Sequence, residues 1–177
     1  MSATSQAAHV DVLLSEERLR ERVREMGAAI ARDYVGKPLT VVGVLKGSFI
    51  FLADLVRAID LPISVDFIGI SSYQGTKSTG VVQITSDLTR PIEGQHVLLV
   101  EDIVDTGLTM KYLLENLATR RPASVRICAL LEKPARAKVQ VPIDYKGFVI
   151  DDVFVVGYGL DWDGKLRNLP FVGIPKS

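Results

Sequence analysis

The chain is 177 residues long, 47% of its residues are hydrophobic, and 21 Lys plus Arg balance 21 Asp plus Glu. This length and apolar content fit one globular domain spanning residues 1–177. The formal net charge of +0 argues against a broad attraction to nucleic acid, and no apolar stretch approaches the roughly 18 residues of a membrane span.

The N-terminal sequence, the single cysteine and the two histidines exclude further classes of protein. The first ten residues, MSATSQAAHV, lack the charged start and apolar core of a signal peptide, so we predict a cytoplasmic protein. The single cysteine, Cys128, excludes an internal disulfide and a cysteine-based zinc site, and its apolar neighbours predict a buried thiol. His9 and His96 are isolated, so any metal ligands are carboxylates, which favours magnesium over zinc.

The N-terminal part of the chain predicts an arm, a helix and a strand. Residues 1–10 are expected to form a disordered arm. Ser15 is a suitable N-cap, and the helix that follows is ended by Gly36 and Pro38. Leu39 to Leu45 is short, apolar and rich in β-branched residues, which predicts a buried strand. The helix is indicated by apolar residues three or four apart, namely Leu19, Val23, Met26, Ile30 and Tyr34.

A second helix and a long hairpin come next. Lys46, Gly47 and Ser48 follow the strand directly and lead into a helix with an apolar face from Phe51 to Ile59. The runs Ile63–Ile70 and Val81–Thr85 predict two strands of a hairpin. They are joined by Ser71–Gly80, a small, polar, glycine-bearing segment typical of a mobile surface loop.

Residues 97–109, VLLVEDIVDTGLT, combine a strand, carboxylates and a helix start. Val97–Val100 predicts a short buried strand, Glu101 and Asp102 are expected where it ends, and Asp105 precedes a helix from Met110 to Leu117. Free backbone N–H groups and the positive end of the helix dipole favour a phosphate at such a helix start. The carboxylates cannot bind that phosphate, so we expect them to serve sugar hydroxyls, a metal ion or a proton.

The C-terminal third predicts the strand Ser124–Leu131, followed by three short β segments, which are Gly147–Ile150, Val153–Val156 and Phe171–Ile174. Gly157–Pro170 has the composition of an irregular loop. Because strands alternate with helices, we predict an α/β fold with a parallel sheet and right-handed crossovers. Ligands bind such sheets beyond the carboxyl ends of the strands. The residues that this rule gathers around one crevice are Lys46, Gly47, Glu101 to Thr109, Lys133 and Asp161.

Two common phosphate-binding signatures are missing from the sequence. Lys46 precedes Gly47 instead of following a Walker-type glycine, and no Gly-x-Gly-x-x-Gly follows a predicted strand. The predicted cradle therefore contains no lysine and is rimmed by carboxylates. Such a cradle suits a single phosphate on a sugar.

The segment Val100–Thr109, VEDIVDTGLT, resembles the phosphoribosyl pyrophosphate motif of type I phosphoribosyltransferases. The resemblance runs from Val10 to Pro175. Over this range the chain is similar to the hypoxanthine-guanine branch of that family. It implies a parallel-sheet core flanked by helices, a long mobile hairpin loop, and a small hood formed by the terminal segments. The other matching segments are LKGSF at 45–49, SSYQG at 71–75, LLEKPAR at 130–136 and FVVGYGLDWDGKLRNLP at 154–170.

For phosphoribosyl pyrophosphate, the resemblance implies that Glu101 and Asp102 hold the ribose hydroxyls, directly or through Mg²⁺. It implies a 5′-phosphate site formed by Asp105, Thr106, Gly107, Leu108 and Thr109. Pyrophosphate would be held by Lys46 and Gly47, with a non-proline cis bond between Leu45 and Lys46, and clamped by Arg167. Ser72 and Tyr73 would lie on a loop that closes over the reaction. Ser48 departs from the second glycine common in close relatives.

For the purine, the resemblance implies that Lys133 donates to the 6-oxo group, Phe154 stacks on the ring and the Val155 backbone reads its Watson–Crick edge. On its apolar pattern alone, Phe154 would instead be a core residue. Asp161 would lie near the exocyclic position and help to bind a second Mg²⁺. Asp105 would face N7, as a general base or as an electrostatic partner.

The expected function is purine salvage: transfer of phosphoribosyl to N9 of hypoxanthine or guanine, with xanthine as a further candidate base. The products would be IMP or GMP and pyrophosphate, and the family resemblance suggests a homodimer or homotetramer. One alternative is a nucleotide sensor or RNA-binding regulator with the same fold, which the neutral charge disfavours. Another alternative is a phosphoribosyltransferase that uses a different base. Adenine is disfavoured, because its amine and the Lys133 side chain would be two buried donors that face each other.

Overall fold

The computed structural model describes residues 9–72 and 82–176, and these residues form helices and strands that alternate through the middle of the chain. In chain order the elements are β1 Val10–Leu14, α1 Glu16–Asp33, β2 Leu39–Leu45, α2 Phe49–Ala58, β3 Ser64–Ser72, β4 Val82–Ser86, β5 His96–Val104, α3 Leu108–Ala118, β6 Ser124–Glu132, a short 3₁₀ helix Pro134–Arg136, β7 Tyr145–Val149 and β8 Val172–Pro175.

A six-stranded sheet in the order β4-β3-β2-β5-β6-β7 forms the centre of the fold. All its neighbouring strands are parallel except β3 and β4, which pair antiparallel. Helices α1 and α2 cover one face and α3 covers the other, so the central strands are buried on both sides. This burial explains the continuous apolar runs of β2 and β5, and it confirms the predicted parallel α/β core.

Helix α1 begins where the sequence predicts. The Ser15 side chain accepts a hydrogen bond from the Arg18 N–H at 3.2 Å, which satisfies one of the donors left free at a helix start. Gly27 of α1 lies so close to Ala58 of α2 that a Cβ at position 27 would overlap it. The two helices therefore pack at short range over one sheet face.

Strand β5 is longer than predicted, which changes the position of the acidic pair. It continues past Val100 to Val104, because β6 keeps pairing with it through Glu101–Ala129 and Val104–Glu132. Glu101 and Asp102 are thus residues of the strand itself. The prediction that the strand ends before the carboxylates is wrong.

The chain ends form a separate two-stranded antiparallel sheet, with Val10 of β1 opposite Pro175 of β8. This sheet corresponds to the expected terminal hood. Of the predicted disordered arm, residues 1–8 lie outside the described residues, whereas Val10 is already paired. The predicted strand Val153–Val156 is wrong, because only Val156 bridges to Gly173 of β8.

The hairpin is confirmed by the antiparallel pairing of β3 with β4. The predicted mobile loop Ser71–Gly80 is wrong at its start, because Ser71 and Ser72 belong to β3 and pair with Gln83 and Val82. The rest of that loop, including Tyr73, lies outside the described residues. Among the helices of the described ranges, none combines the length and the apolar character needed to cross a membrane.

Candidate active site

The carboxyl ends of β2, β5 and β6 meet at one edge of the sheet, because these neighbouring strands are parallel. The chain leaves β2 at Lys46 and Gly47, β5 at Asp105 and β6 at Lys133. The sequence predicts this gathering, and the contacts described below link these segments to one another and to the loop after Val156.

Buried Glu101 and half-buried Asp102 form an acidic pair near the end of β5. Glu101 is 7% exposed, and its Oε1 accepts a hydrogen bond from the Asp102 backbone N–H at 3.0 Å. The Asp102 Oδ1 accepts from the Ile103 N–H at 2.7 Å. Burial raises the pKa of Glu101 well above its usual range, and the charge and side-chain hydrogen bond of Asp102 raise it further, whereas the Asp102 backbone N–H that donates to this carboxylate lowers it. The pair therefore favours a ligand that supplies a cation or hydroxyl donors.

The turn after β2 lies against this acidic pair. The Leu45–Lys46 peptide bond is cis, as the resemblance implies, and Lys46 is exposed. A Cβ at Gly47 would overlap the Asp102 carboxylate, so only glycine fits here without displacing that group. Ser48 is fully buried and donates to the Val44 carbonyl at 2.6 Å. Its hydroxyl is satisfied, and the turn keeps its close approach to Asp102.

The loop from Thr106 to Thr109 forms the start of α3. Gly107 has a φ of 83°, and a Cβ there would overlap the Val139 carbonyl oxygen. The Thr106 carbonyl accepts from the Lys138 N–H at 2.9 Å and from the Val139 N–H at 3.1 Å. The first N–H groups of α3 have no carbonyl partner within the helix. This loop can therefore bind a phosphate through backbone donors at the positive end of a helix.

The segment after Val156 contacts the turn after β2, and the contact is between two glycines. A Cβ at Gly159 would overlap the Gly47 carbonyl oxygen, so the two backbones touch. The Gly159 carbonyl accepts from Arg167 Nη1 at 2.6 Å, and Arg167 Nη2 lies 3.2 Å from Asp161 Oδ1. The other Asp161 oxygen accepts from the Gly164 N–H at 2.8 Å. Arg167 is thus held beside the predicted pyrophosphate turn, and both oxygens of Asp161 have protein partners.

The residues that are predicted to contact the purine differ in solvent exposure. Lys133 is 7% exposed and its backbone N–H donates to the Val104 carbonyl at 3.0 Å, which fixes it against the end of β5. Phe154 is 55% exposed, so the prediction of a core residue is wrong. It lies outside the main sheet and packs edge-on against Trp162, with ring centroids 6.2 Å apart. Val155 beside it is buried.

Arg136, the last residue of the matching segment at 130–136, is a further residue of this site, and no role is predicted for it from the sequence. Its Nε donates to Asp105 Oδ1 at 2.7 Å, and its Nη1 lies 3.7 Å from Asp152 Oδ1. Its position three residues after Lys133, in a segment that turns back toward the crevice, is the signal that could have indicated it.

The carboxylates of the site can supply only some of the ligands of a metal ion. Over residues 9–72 and 82–176, no three His, Cys, Asp or Glu side chains converge on one point. Glu101 and Asp102 are adjacent, and Asp161 is engaged separately by Arg167. Two oxygen ligands fit Mg²⁺, which commonly takes one or two carboxylates and completes its shell with water and phosphate oxygens.

The chain matches the phosphoribosyl transferase domain family over residues 9–163. It is 49% identical to the hypoxanthine-guanine phosphoribosyltransferase of Staphylococcus epidermidis, with 94% of each chain covered. The crystal structure of a hypoxanthine phosphoribosyltransferase from Staphylococcus aureus superposes with a TM-score of 0.94 at 46% identity, covering 99% of this chain and 97% of the other. A Trypanosoma cruzi hypoxanthine phosphoribosyltransferase in complex with the product IMP gives 0.87 at 43% identity, with 93% of each chain covered.

Proposed function

Because the chain belongs to the phosphoribosyl transferase family, we propose that it is a purine salvage enzyme. It transfers the 5-phosphoribosyl group of phosphoribosyl pyrophosphate to N9 of hypoxanthine or guanine and releases IMP or GMP with pyrophosphate. The names of its similar relatives, and the IMP bound to the Trypanosoma cruzi structure, support the choice of 6-oxopurines.

The observation that carries the proposal is the position of the acidic pair of β5, between the start of α3 and the turn after β2. On one side, the start of α3 offers backbone donors to a phosphate. On the other, Gly47 touches the Asp102 carboxylate and Gly159, whose carbonyl holds Arg167. A ribose flanked by a 5′-phosphate and a pyrophosphate has this order of groups: anion, hydroxyls, anion.

Each part of phosphoribosyl pyrophosphate then has protein partners. Thr106, Gly107, Leu108 and Thr109 bind the 5′-phosphate, and Glu101 and Asp102 accept hydrogen bonds from the ribose hydroxyls. Lys46 and Gly47 bind pyrophosphate, and Arg167 supplies positive charge to the same group. Mg²⁺ bound at Glu101 and Asp102, with a second ion near Asp161, would neutralise charge that develops on the leaving pyrophosphate.

The purine lies on the other side of the ribose. The ammonium of Lys133, a residue that is 7% exposed, donates to the 6-oxo oxygen, and Phe154, which is exposed, stacks on the base. The Val155 backbone and Asp161 contact the edge of the ring. Asp105 faces N7, where a carboxylate stabilises the proton that the base carries as N9 attacks C1 of the ribose.

The protein accelerates the transfer reaction mainly by stabilising the charges that develop as the bond to pyrophosphate breaks. As the bond to pyrophosphate breaks, the ribose acquires oxocarbenium character and negative charge collects on the leaving group. Arg167 and Lys46 stabilise that charge, which is the largest kind of catalytic contribution. Asp105 adds a contribution of about 10²–10⁴-fold, typical of a well-placed group that handles a proton. Ser72 and Tyr73, on the predicted closing loop, would keep water from the reactive carbon.

Product formation tests the proposal directly. Purified protein is incubated with phosphoribosyl pyrophosphate, Mg²⁺ and one of hypoxanthine, guanine, xanthine or adenine, and nucleotides are separated by chromatography. We expect IMP and GMP with release of pyrophosphate, no AMP, and loss of activity when the metal is chelated. Failure with both hypoxanthine and guanine would contradict the proposal, and the xanthine reaction decides whether the range of bases is wider.

We further propose a homodimer or homotetramer, with a cytoplasmic location that rests on the sequence alone. Exposed Phe49 on α2 and Phe67 on β3, each 43% accessible, are apolar side chains that an interface between copies would cover. Light scattering coupled to gel filtration measures the mass. A monomer at micromolar concentration would contradict this part of the proposal.

A further inference from the structure

We propose that Arg136 is a positioning residue for the transfer reaction. It holds the Asp105 carboxylate in one orientation, so that one oxygen is fixed by the protein and the other is left to face the purine. This inference rests on the proposed function, because it takes Asp105 as the group that contacts N7 of the base. It concerns how that contact is prepared.

The two oxygens of Asp105 are in different situations. Oδ1 accepts a hydrogen bond from Arg136 Nε at 2.7 Å, a length typical of a charge-assisted bond. Oδ2 accepts no hydrogen bond from the residues that the structure describes. Asp105 and Arg136 have side chains 37% and 48% exposed, so the pair lies at the wall of the crevice with access to a ligand. A purine N–H can therefore reach Oδ2 without displacing Arg136.

Arg136 is itself held in place. It ends the 3₁₀ turn Pro134–Arg136, in which its N–H donates to the Lys133 carbonyl at 3.1 Å. Its Nη1 lies 3.7 Å from Asp152 Oδ1, so a second carboxylate attracts the far end of the guanidinium. The turn begins directly after Lys133, the proposed donor to the 6-oxo group. Arg136 thus links the end of the site that reads the base to the carboxylate that faces N7.

The backbone around Asp105 is fixed independently of this side-chain contact. Lys133 N–H donates to the Val104 carbonyl at 3.0 Å, and the N–H groups of Lys138 and Val139 donate to the Thr106 carbonyl. Val104 and Thr106 are the two neighbours of Asp105, so the position of its Cα does not depend on Arg136. What Arg136 adds is the orientation of the carboxylate. Removing the guanidinium should therefore release one side chain without moving the cradle.

A different role for Arg136 makes a different kinetic prediction. A guanidinium near the cradle could instead bind the 5′-phosphate directly, and its loss would then weaken binding of phosphoribosyl pyrophosphate. A positioning role through Asp105 leaves that binding nearly unchanged and lowers turnover. The division of an effect between kcat and KM distinguishes the two roles.

The first experiment compares wild type with Arg136→Gln and Arg136→Lys, measuring kcat and both KM values for hypoxanthine and phosphoribosyl pyrophosphate. We expect Arg136→Gln to lower kcat about 10- to 100-fold, the scale of a misplaced catalytic group, with the KM for phosphoribosyl pyrophosphate changed by less than about threefold. Arg136→Lys should recover part of the loss, because an ammonium can donate one hydrogen bond to Asp105. Arg20→Gln, which removes an exposed pair with Glu16 at 3.1 Å, is the matched control and should have no effect.

The second experiment places Arg136→Gln in an Asp105→Asn background. If Arg136 acts through Asp105, the double variant should be no slower than Asp105→Asn alone, within about twofold, because interacting residues are non-additive. Full additivity, an unchanged kcat in Arg136→Gln, or a raised KM for phosphoribosyl pyrophosphate with normal kcat would each overturn the inference. Inactive wild-type protein would instead overturn the proposed function. If Arg136→Gln melts at a lower temperature, Arg136→Lys and Asp152→Asn provide the same kinetic test.

Discussion

At the scale of single residues, Glu101 shows how a ligand site conflicts with stability. Its carboxyl group is buried and lies next to a second carboxylate, so the folded protein holds the Glu101 proton more tightly than the unfolded chain does. A raised pKa means that Glu101 favours folding below the unfolded value, and this contribution is lost as the pH rises above it. Above that pH, without a cation or ribose, the burial of Glu101 therefore costs stability.

Replacing Glu101 with glutamine should therefore stabilise the free protein and impair the enzyme. Glutamine keeps the acceptor for the Asp102 N–H and removes the buried charge. We expect a melting temperature raised by about 2–4 °C in the absence of Mg²⁺, the shift that 1 kcal/mol produces in a chain of this size. We also expect a large loss of kcat/KM for phosphoribosyl pyrophosphate. A lower melting temperature in scanning calorimetry, with wild type as reference, would contradict the electrostatic account.

Lys133 provides a second prediction at the residue scale, on the choice of base. Its side chain is 7% exposed, so a methionine of similar length can fill the space but cannot donate to a 6-oxo group. Lys133→Met should lower kcat/KM for hypoxanthine about 10- to 100-fold, corresponding to a hydrogen bond from a charged donor. The KM for phosphoribosyl pyrophosphate should change little. An equal loss for both substrates in steady-state assays would assign Lys133 to general packing instead.

At the scale of elements, the turn between β2 and α2 depends on the absence of a side chain. A Cβ at Gly47 would overlap the Asp102 carboxylate, and the Gly47 carbonyl lies against Gly159. Two segments more than a hundred residues apart in sequence are thus brought together by two glycines. The pyrophosphate turn can move only together with the acidic pair or with the loop that holds Arg167.

Gly47→Ala should accordingly displace Asp102 and lower kcat/KM for phosphoribosyl pyrophosphate by at least about 10-fold, because ångström-scale displacements in an active site are costly. Gly36→Ala is the control: its φ of 71° makes alanine strained, but nothing lies within 4 Å of the added carbon. That variant should lose stability and keep its turnover. Normal kinetics for Gly47→Ala would show that the turn relaxes without affecting the acidic pair.

Most elements follow from the sequence because local pattern and burial agree, and the exceptions have physical causes. β5 was predicted too short because Glu101 and Asp102 look like strand-end charges, whereas pairing with β6 carries the strand through them. Phe154 looks like a core residue but is exposed beside Trp162. The bond between Arg136 and Asp105 joins residues 31 positions apart, and no periodicity records such a contact. The resemblance to relatives, not residue spacing, supplied Phe154 as a stacking ring and Arg167 as a pyrophosphate ligand.

At the scale of the whole molecule, four buried groups, one cysteine thiol and three tyrosine hydroxyls, favour folding in their protonated form. They should therefore lower the stability of the protein at alkaline pH. Burial is the first cause that raises the pKa of Cys128, Tyr34, Tyr145 and Tyr158. Hydrogen bonds to carboxylates contribute for two of the tyrosines, through Asp33 with Tyr145 and Asp54 with Tyr158. These groups therefore favour folding below their unfolded pKa values of about 8.5 for cysteine and 10 for tyrosine.

The free energy of unfolding should fall as the pH rises above about 9, and more steeply above 10. Each such group removes up to about 1.4 kcal/mol per pH unit once its unfolded form is ionised. Urea denaturation at pH 8 to 11 measures the decline. Tyr158→Phe lacks one of these protons and should lose stability less steeply over that range. A free energy of unfolding that does not change with pH would contradict the assignment.

The terminal hood has a consequence for the order in which the protein matures. β1 precedes the six-stranded sheet in the chain and its partner β8 follows that sheet, so β1 has no strand to pair with until residues near Pro175 leave the ribosome. The same late strand anchors Val156 and, with it, the loop that holds Arg167. The six-stranded sheet and the acidic pair have no such requirement, since β7 ends at Val149. During synthesis the proposed phosphate cradle can therefore form first, and the proposed pyrophosphate clamp is completed after it.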